Sequence, residues 1–362
     1  MFTAVSHDST KDTSPDSPAG GKLARVSQRD IAREAGVSRV TVSLVLAGKD
    51  QTSDETRQRV LAAAKRLRYR PNLLVQGMRT GRTGAIGVVI PAGLYFQGII
   101  AQGIHDEIVN EDFVPMQLLV GPNVGAKTTE LEQIHRLTDR RVDGIIVWPV
   151  DEAVSDAAFS EIASRGIPMV TVDRETAGPS DHVGTDEELG GKLVAEHLLS
   201  FGHRRLLHVT YPPRPGPMPL NRRREAFVKA VEAAGATCEV ISCNVDQCFE
   251  MTLAALSKPE RATAIFTATD VIAMKIYGVA AKLCLRIPEQ LSVCGYADFT
   301  FAKDLVPPLT SIKQDPYSIG KTAAQILLDR ILDRSKTTGP QRIYIKPELI
   351  ARASTGPAPK QP

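Results

Sequence analysis

Two sets of residues in this chain are placed to do chemistry, and both suit recognition rather than bond breaking. The first is the run Ser38 to Leu44. At helical spacing Val42, Val45 and Leu46 share one apolar face, which leaves Arg39, Val40, Thr41, Ser43 and Leu44 partly or wholly outside. An arginine, a small apolar group and hydroxyls on the open side of a short helix suit contact with a DNA groove. The second set follows short apolar runs: Asp173 after PMVTV, Asp270 after AIFTAT and Asp298 after VCGYA. Polar residues at the carboxyl ends of sheet strands are where open α/β folds collect ligands.

The elements that position the first set run from Val26 to Gly48, VSQRDIAREAGVSRVTVSLVLAG. Ser27 caps a helix, with Asp30 three residues on to complete a capping box, and Ile31, Ala32 and Ala35 recur at helical spacing. Gly36 supplies a left-handed turn and Ser38 caps the second helix, which together spell a helix-turn-helix. Ser53 then caps a third helix, expected to turn Val60, Leu61, Ala64 and Leu67 inward. From Lys22 to Arg82 there are 14 Lys and Arg against 5 Asp and Glu, a net of +9 in a chain whose total is +3. A basic module ahead of a mildly acidic body is the footprint of a phosphate-binding head.

From Ala85 the pattern changes to short apolar runs alternating with amphipathic stretches, which predicts parallel sheets covered by helices. AIGVVIP at 85, VDGIIVWP at 142 and PMVTVDR at 168 are echoed by RLLHVTYP at 205, ATAIFTATD at 262 and LSVCGYAD at 291. The offset of about 120 residues is one domain's worth, so the body reads as two similar α/β lobes in series. Cys238, Cys243, Cys248, Cys284 and Cys294 include no CxxC pair, and neither they nor His197, His203 and His208 form a zinc pattern. No metal or cofactor is expected. The run VGPNVGAKTT nearly spells a phosphate loop, but Ala126 stands where a glycine should precede Lys127, which disfavours an ATP-dependent enzyme. With no run of about 18 apolar residues and no export signal, a cytoplasmic, non-membrane protein is expected.

The head VSQRDIAREAGVSRVTVS, the joint YRPN with RTGRTGAIGVVIP, and the motifs RRVDGII, HLLSFGHRR, IPEQLSVCGYAD and PPLTSIKQD occur in one order. On these the chain resembles the lactose-repressor family of bacterial transcription regulators, from Val26 to about Leu349. The resemblance implies an all-α helix-turn-helix head and an α/β periplasmic-binding-protein-like core of two Rossmann-like parallel-sheet lobes joined by three crossovers. The expected division is a disordered leader at 1–24, the head at 25–70, a hinge helix and linker at 71–83, the core at 84–350 and a flexible tail at 351–362. Within the core, lobe one is expected at 84–184 and 315–331, lobe two at 185–314 and 332–350.

The function implied is a ligand-responsive, sequence-specific regulator, a repressor, that acts as a homodimer on a pseudo-palindromic double-stranded operator. By family position Arg39 and Val40 meet base edges, Ser38, Thr41 and Ser43 lie over phosphates, and Ser27 is a further DNA-binding candidate. Leu44 departs from the arginine common among relatives. In the hinge NLLVQGMR, Asn72, Val75 and Met78 fall on the minor-groove segment, with Met78 at the wedging position. Arg223 falls where the family grips its effector, and Asp173, Thr269, Asp270 and Asp298 match other cleft positions; Ala297 replaces the first acid of the common GYDD. Tyr95, Phe96 and Trp148 offer an apolar wall for a sugar face. The implied effector is a sugar or sugar derivative. A sugar-binding protein without DNA function is the alternative, disfavoured by the basic head. Met78→Ala is expected to weaken operator binding far more than binding to random duplex in a gel shift. Equal losses on both would remove Met78 from the wedge.

Overall fold

The computed structural model describes residues 26–48, 52–69, 82–93, 95–120, 129–150, 159–176, 178, 180–213, 218–335 and 337–360. The chain divides into two units, Met1–Gln76 and Gly77–Pro362. In the first, α1 (Gln28–Ala35) starts at Ser27, whose backbone N–H and Oγ both donate to Asp30 Oδ2, at 2.9 and 2.7 Å. Gly36 ends it with φ 66°, a conformation that costs a side-chain-bearing residue dearly. Ser38 then caps α2 (Arg39–Leu46) by accepting from Thr41 N at 3.0 Å, and Ser53 caps α3 (Asp54–Arg66) by accepting from Thr56 N at 3.3 Å.

The three helices close on Ile31, Ala35, Val42, Val45, Val60 and Ala63. Leu46, Ala64 and Leu67 pack at its margin. Leu61, expected inside, is 45% exposed. The spacing 60, 63, 64, 67 already fills the inward stripe of α3, and residue 61 lies about 100° round the helix from Val60, off that stripe.

The second unit holds two six-stranded sheets. Lobe one is built from β1 (Ala85–Pro91), α4 (Phe96–Asn110), β2 (Val114–Val120), α5 (Glu130–Asp139), β3 (Gly144–Val147), β4 (Met169–Val172) and β5 (Asp181–Thr185). Lobe two follows with α6 (Glu187–Ser200), β6 (Arg205–Thr210), α7 (Pro219–Ala233), β7 (Thr237–Ser242), α8 (Val245–Leu256), β8 (Ala264–Thr267), α9 (Asp270–Lys282), β9 (Ser292–Ala297) and β10 (Thr310–Lys313). The chain then returns to lobe one with α10 (Pro316–Ile331) and β11 (Arg342–Ile345), and ends its strands in lobe two with β12 (Glu348–Ile350). The sheet orders are β11-β5-β4-β3-β1-β2 and β12-β10-β9-β8-β6-β7. All pairings are parallel except that of β12 with β10. All six of the apolar runs that repeat in the sequence are strands.

Two boundaries differ from expectation. Residues 342–345 belong to the first sheet, not the second lobe, because Arg342 to Ile345 run in register with His182 to Thr185 and Ile343 and Ile345 pack on the lobe-one core. The tail is not loose over its described part, 351–360. Ser354 Oγ donates to Val293 O and accepts from Thr310 N, Gly356 N donates to Ser292 Oγ, and Ala358 N donates to Phe201 O. These bonds tie the segment to β9, to β10 and to the end of α6. Among the described residues, no helix is long and apolar enough to cross a membrane.

Lobe one depends on close contact between α4 and α10. A Cβ at Gly320 would run into the backbone carbonyl of Ile100, which cannot move without distorting α4. Gly320→Ala is expected to destabilise the core by about 1–3 kcal/mol despite alanine's better helix propensity. Gly98→Ala, where the nearest atom is Gly93 O at 3.4 Å, serves as the tolerated control in thermal melts.

Candidate functional site

The head presents the residues expected to meet DNA. Arg39 is exposed and Val40 is 68% exposed, an unusual placement for valine that leaves its methyls open to a partner. Ser27 and Ser38 are exposed at the two helix starts, and Thr41, Ser43 and Leu44 are half-buried. The hydroxyls serve the fold first: Ser27 bonds Asp30, and Ser38 Oγ and Thr41 Oγ1 lie 2.9 Å apart. Leu44 stays outside the head's buried cluster. The first turn of α2 has no acidic residue to oppose an approaching phosphate. Asn72, Val75 and Met78 lie outside the described residues, as does Lys127 of the broken phosphate loop.

In the core, the carboxyl ends of both sheets meet. Arg223 projects from the first turns of α7 and is buried. Its Nε donates to Glu187 Oε2 at 2.7 Å, its Nη1 to Ala268 O at 2.5 Å, and its guanidinium lies 3.2 Å from the Tyr296 ring centroid. Burial is the largest influence and works against the arginine's charge, but Glu187, Tyr296 and Asp173 together outweigh it and hold the pKa above its usual value. Tyr296 OH also donates to Glu187 Oε2, at 2.7 Å, and its own ionisation is pushed far up by burial and that carboxylate. Asp173 sits past the end of β4 with φ 62°. No described residue hydrogen-bonds its carboxyl. Although the residue is half-buried, dense surrounding protein raises its pKa to about 7; Glu187 adds to the rise and Arg223 opposes it.

The structure separates the remaining acids from this pair. Asp270, the first residue of α9, is fully buried; its Oδ1 accepts from Ser311 Oγ at 2.6 Å and its Oδ2 from Phe299 N at 2.7 Å. Asp298 accepts from Arg352 Nη1 at 2.6 Å. Asp270 therefore fastens lobe two internally through both of its oxygens, and Asp298 through Oδ1. Thr269 precedes α9 with its hydroxyl 3.4 Å from Tyr211 OH. Phe96 and Trp148 meet edge to face at 5.8 Å on the margin of the lobe-one core, and Tyr95 reaches across to Phe299 of lobe two at 5.1 Å.

Several residues here carry no sequence signal. Glu187 looks like an ordinary acid in a helix's first turn, Gln314 like loop polarity, and Arg222 like surface charge. In the structure Gln314 Nε2 donates to Thr185 Oγ1 and Glu187 Oε1, at 2.9 and 3.2 Å. Arg222 Nη2 spans the lobes to Glu175 Oε2 at 2.6 Å; Tyr344 OH donates to the same oxygen and Arg342 Nε to Oε1.

A helix-turn-helix head followed by a two-sheet binding-protein core is the architecture of a ligand-controlled bacterial transcription regulator. The family model "Bacterial regulatory proteins, lacI family" matches residues 28–72, and that of a periplasmic binding protein-like domain matches 195–355. The HTH-type transcriptional repressor PurR of Escherichia coli is 31% identical over 344 residues, covering 91% of this chain and 97% of the relative. A structure of the lac repressor dimer bound to operator and the anti-inducer ONPF superposes with TM-score 0.78 at 25% identity, covering 92% of this chain and 99% of that one. The complex of the regulator CelR with cellobiose gives 0.65 at 27% identity, covering 91% and 100%. The chain belongs to the lacI family of bacterial regulatory proteins.

The Asp270 carboxyl, buried to a pKa of about 7, keeps its proton where an unfolded aspartate, near 3.8, has lost it. The stabilisation it contributes is complete below about pH 4 and is lost as pH rises through 7. Asp270→Asn is locked neutral and escapes that loss. Its melting temperature relative to the unsubstituted protein is therefore expected to climb from pH 4 to pH 7. The comparison is made as a difference because His182 and His208, lowered by burial to about 4 and about 3, tilt the profile the other way. A constant difference across that range would mean the carboxyl is ionised throughout.

Proposed function

We propose that this protein is a sequence-specific DNA-binding repressor whose two-lobed core takes a small polyhydroxyl effector, a sugar or sugar derivative, and so sets the affinity of the head for its operator. The observation that carries the DNA reading is the exposed Arg39–Val40 pair at the start of α2, on a module with 14 basic against 5 acidic residues. Arg39 is the guanine-reading candidate through O6 and N7, and Val40 the contact for a thymine methyl. Thr41, Ser43 and Ser38 set register on phosphates. A two-fold dimer would place two such helices on the half-sites of a pseudo-palindrome.

The effector reading rests on Arg223 and Asp173. A buried arginine with its remaining donors beside a carboxyl that has no hydrogen-bond partner among the described residues is matched to adjacent hydroxyls, which accept from one and donate to the other. Tyr95, Phe96 and Trp148 supply flat apolar surface for the C–H face of a sugar ring. Asp270, with both oxygens engaged inside lobe two, acts as scaffold rather than as a ligand contact. Binding shifts the population of lobe arrangements, and the same free energy appears as changed operator affinity. Relatives whose structures hold operator DNA or cellobiose support this division of labour.

Arg39→Ala is expected to cost about 1–3 kcal/mol on the operator and to relax base preference at one position, with a smaller loss on random duplex. Gel shifts of fragments from the protein's own promoter region, repeated at several salt concentrations, measure both. Equal losses on specific and random DNA would assign Arg39 to phosphate. Thermal-shift screening of sugars and sugar acids tests the effector, and a hit that survives Arg223→Lys unchanged would move the ligand elsewhere.

A further inference from the structure

The buried network around Arg223 extends beyond the cleft. Glu187 opens α6 two residues after β5 ends at Thr185, so it stands where the chain first crosses between lobes. Gln314 stands at the second crossing, between β10 and α10. Its amide bonds Thr185 and Glu187 together, so the two crossing segments are strapped to each other by side chains. Gln314 and Glu187 are both buried. Glu187 therefore has the crossover strap on Oε1, while Oε2 takes Arg223 Nε and Tyr296 OH.

The two oxygens of one carboxylate move as a rigid plane. Because this carboxylate is buried, no water stands ready to replace a partner that withdraws, and an underbonded charge there is costly. A displacement of Arg223 is then answered by rotation of the carboxylate, and rotation alters the bond to Gln314. Resting on the reading of Arg223 as the effector arginine, we propose that Glu187 is the positioning residue that relays occupancy at Arg223 to the interlobe crossovers, with Gln314 as the strap it moves. The cleft is thereby wired to the segments about which the lobes must turn, without contact between ligand and crossover.

Amide hydrogen exchange on the full-length protein, with no ligand added, tests the relay as a double-mutant cycle. Arg223→Lys keeps the charge but loses the fork, and stands in for a displaced arginine. Gln314→Met removes the strap at similar volume. Arg223→Lys alone is expected to speed exchange in the peptides 184–189 and 312–317 about ten-fold, the scale of one charge-assisted hydrogen bond. On the Gln314→Met background it should still speed 184–189 but leave 312–317 unchanged. Additive effects at 312–317, or no effect there of Arg223→Lys alone, would overturn the relay. If Gln314→Met melts below the working temperature, Gln314→Asn, too short to reach either partner, completes the same cycle. No effector enters the experiment, so its failure leaves the ligand role of Arg223 standing; that role falls separately, by the sugar screen.

Discussion

Arg223 and Glu187 lie 2.7 Å apart with both side chains shielded from water, and a charge pair in that position holds only if its remaining donors and acceptors are met. Much of the core follows from meeting them. The tyrosine of β9 points its hydroxyl at the carboxylate, and α6 must carry Gly190 opposite, since a Cβ there would collide with the Tyr296 hydroxyl. The carbonyl of Ala268, between β8 and α9, takes a second arginine nitrogen. Strand ends from one sheet, a helix start and a crossover amide are thus fixed by a single ion pair. Beside it stands the Asp173 carboxyl, without a hydrogen-bond partner among the described residues, its pKa raised to about 7 by burial and by the Glu187 charge.

The lobes are separate in their cores but not in their polar groups. Apart from the aromatic pair Tyr95–Phe299, the contacts described between them at the cleft are bonds of charged and hydroxyl groups: Arg222 with Glu175 and Tyr344, and Gln314 with Thr185. Polar contacts of this kind can be exchanged for a ligand's hydroxyls at small net cost, whereas an apolar interface of the same size would resist opening. The α10–α4 packing inside lobe one has the opposite character, with backbone against backbone, and should move as a block.

The sequence announced the head almost completely, because its signals are local. Ser27 with Asp30, Gly36 and Ser38 each act within one turn, and the structure places each cap where the spacing requires. Leu61 was misread because two adjacent apolar residues compete for one stripe, and only the packed helix decides between them. The repeat of three apolar runs at a constant offset disclosed both sheets, yet it could not show that Arg342–Ile345 returns to the first one: short strands at the end of a chain have no partner in the pattern. The cleft was legible by position, not by chemistry. Arg223 lies buried in the network with Glu187, while Asp270 and Asp298 are bound by Ser311, Phe299 and Arg352, and nothing local foretells those partners. Glu187 and Gln314 were invisible for the same reason, since burial of a first-turn acid depends on contacts made far along the chain.

The account turns on a ligand in the cleft changing the grip of the head on DNA. The chain's one tryptophan, Trp148, stands just past the end of β3 against Phe96, where its emission would respond to a ligand bound as proposed. The decisive measurement is fluorescence anisotropy of a labelled promoter fragment titrated with protein, without and with a sugar or sugar acid that shifts Trp148 emission. The account predicts that such a compound changes the DNA dissociation constant by at least about five-fold, in either direction. A compound that saturates the Trp148 response while leaving DNA affinity unaltered, or a protein that ignores the fragment at low salt, would contradict it.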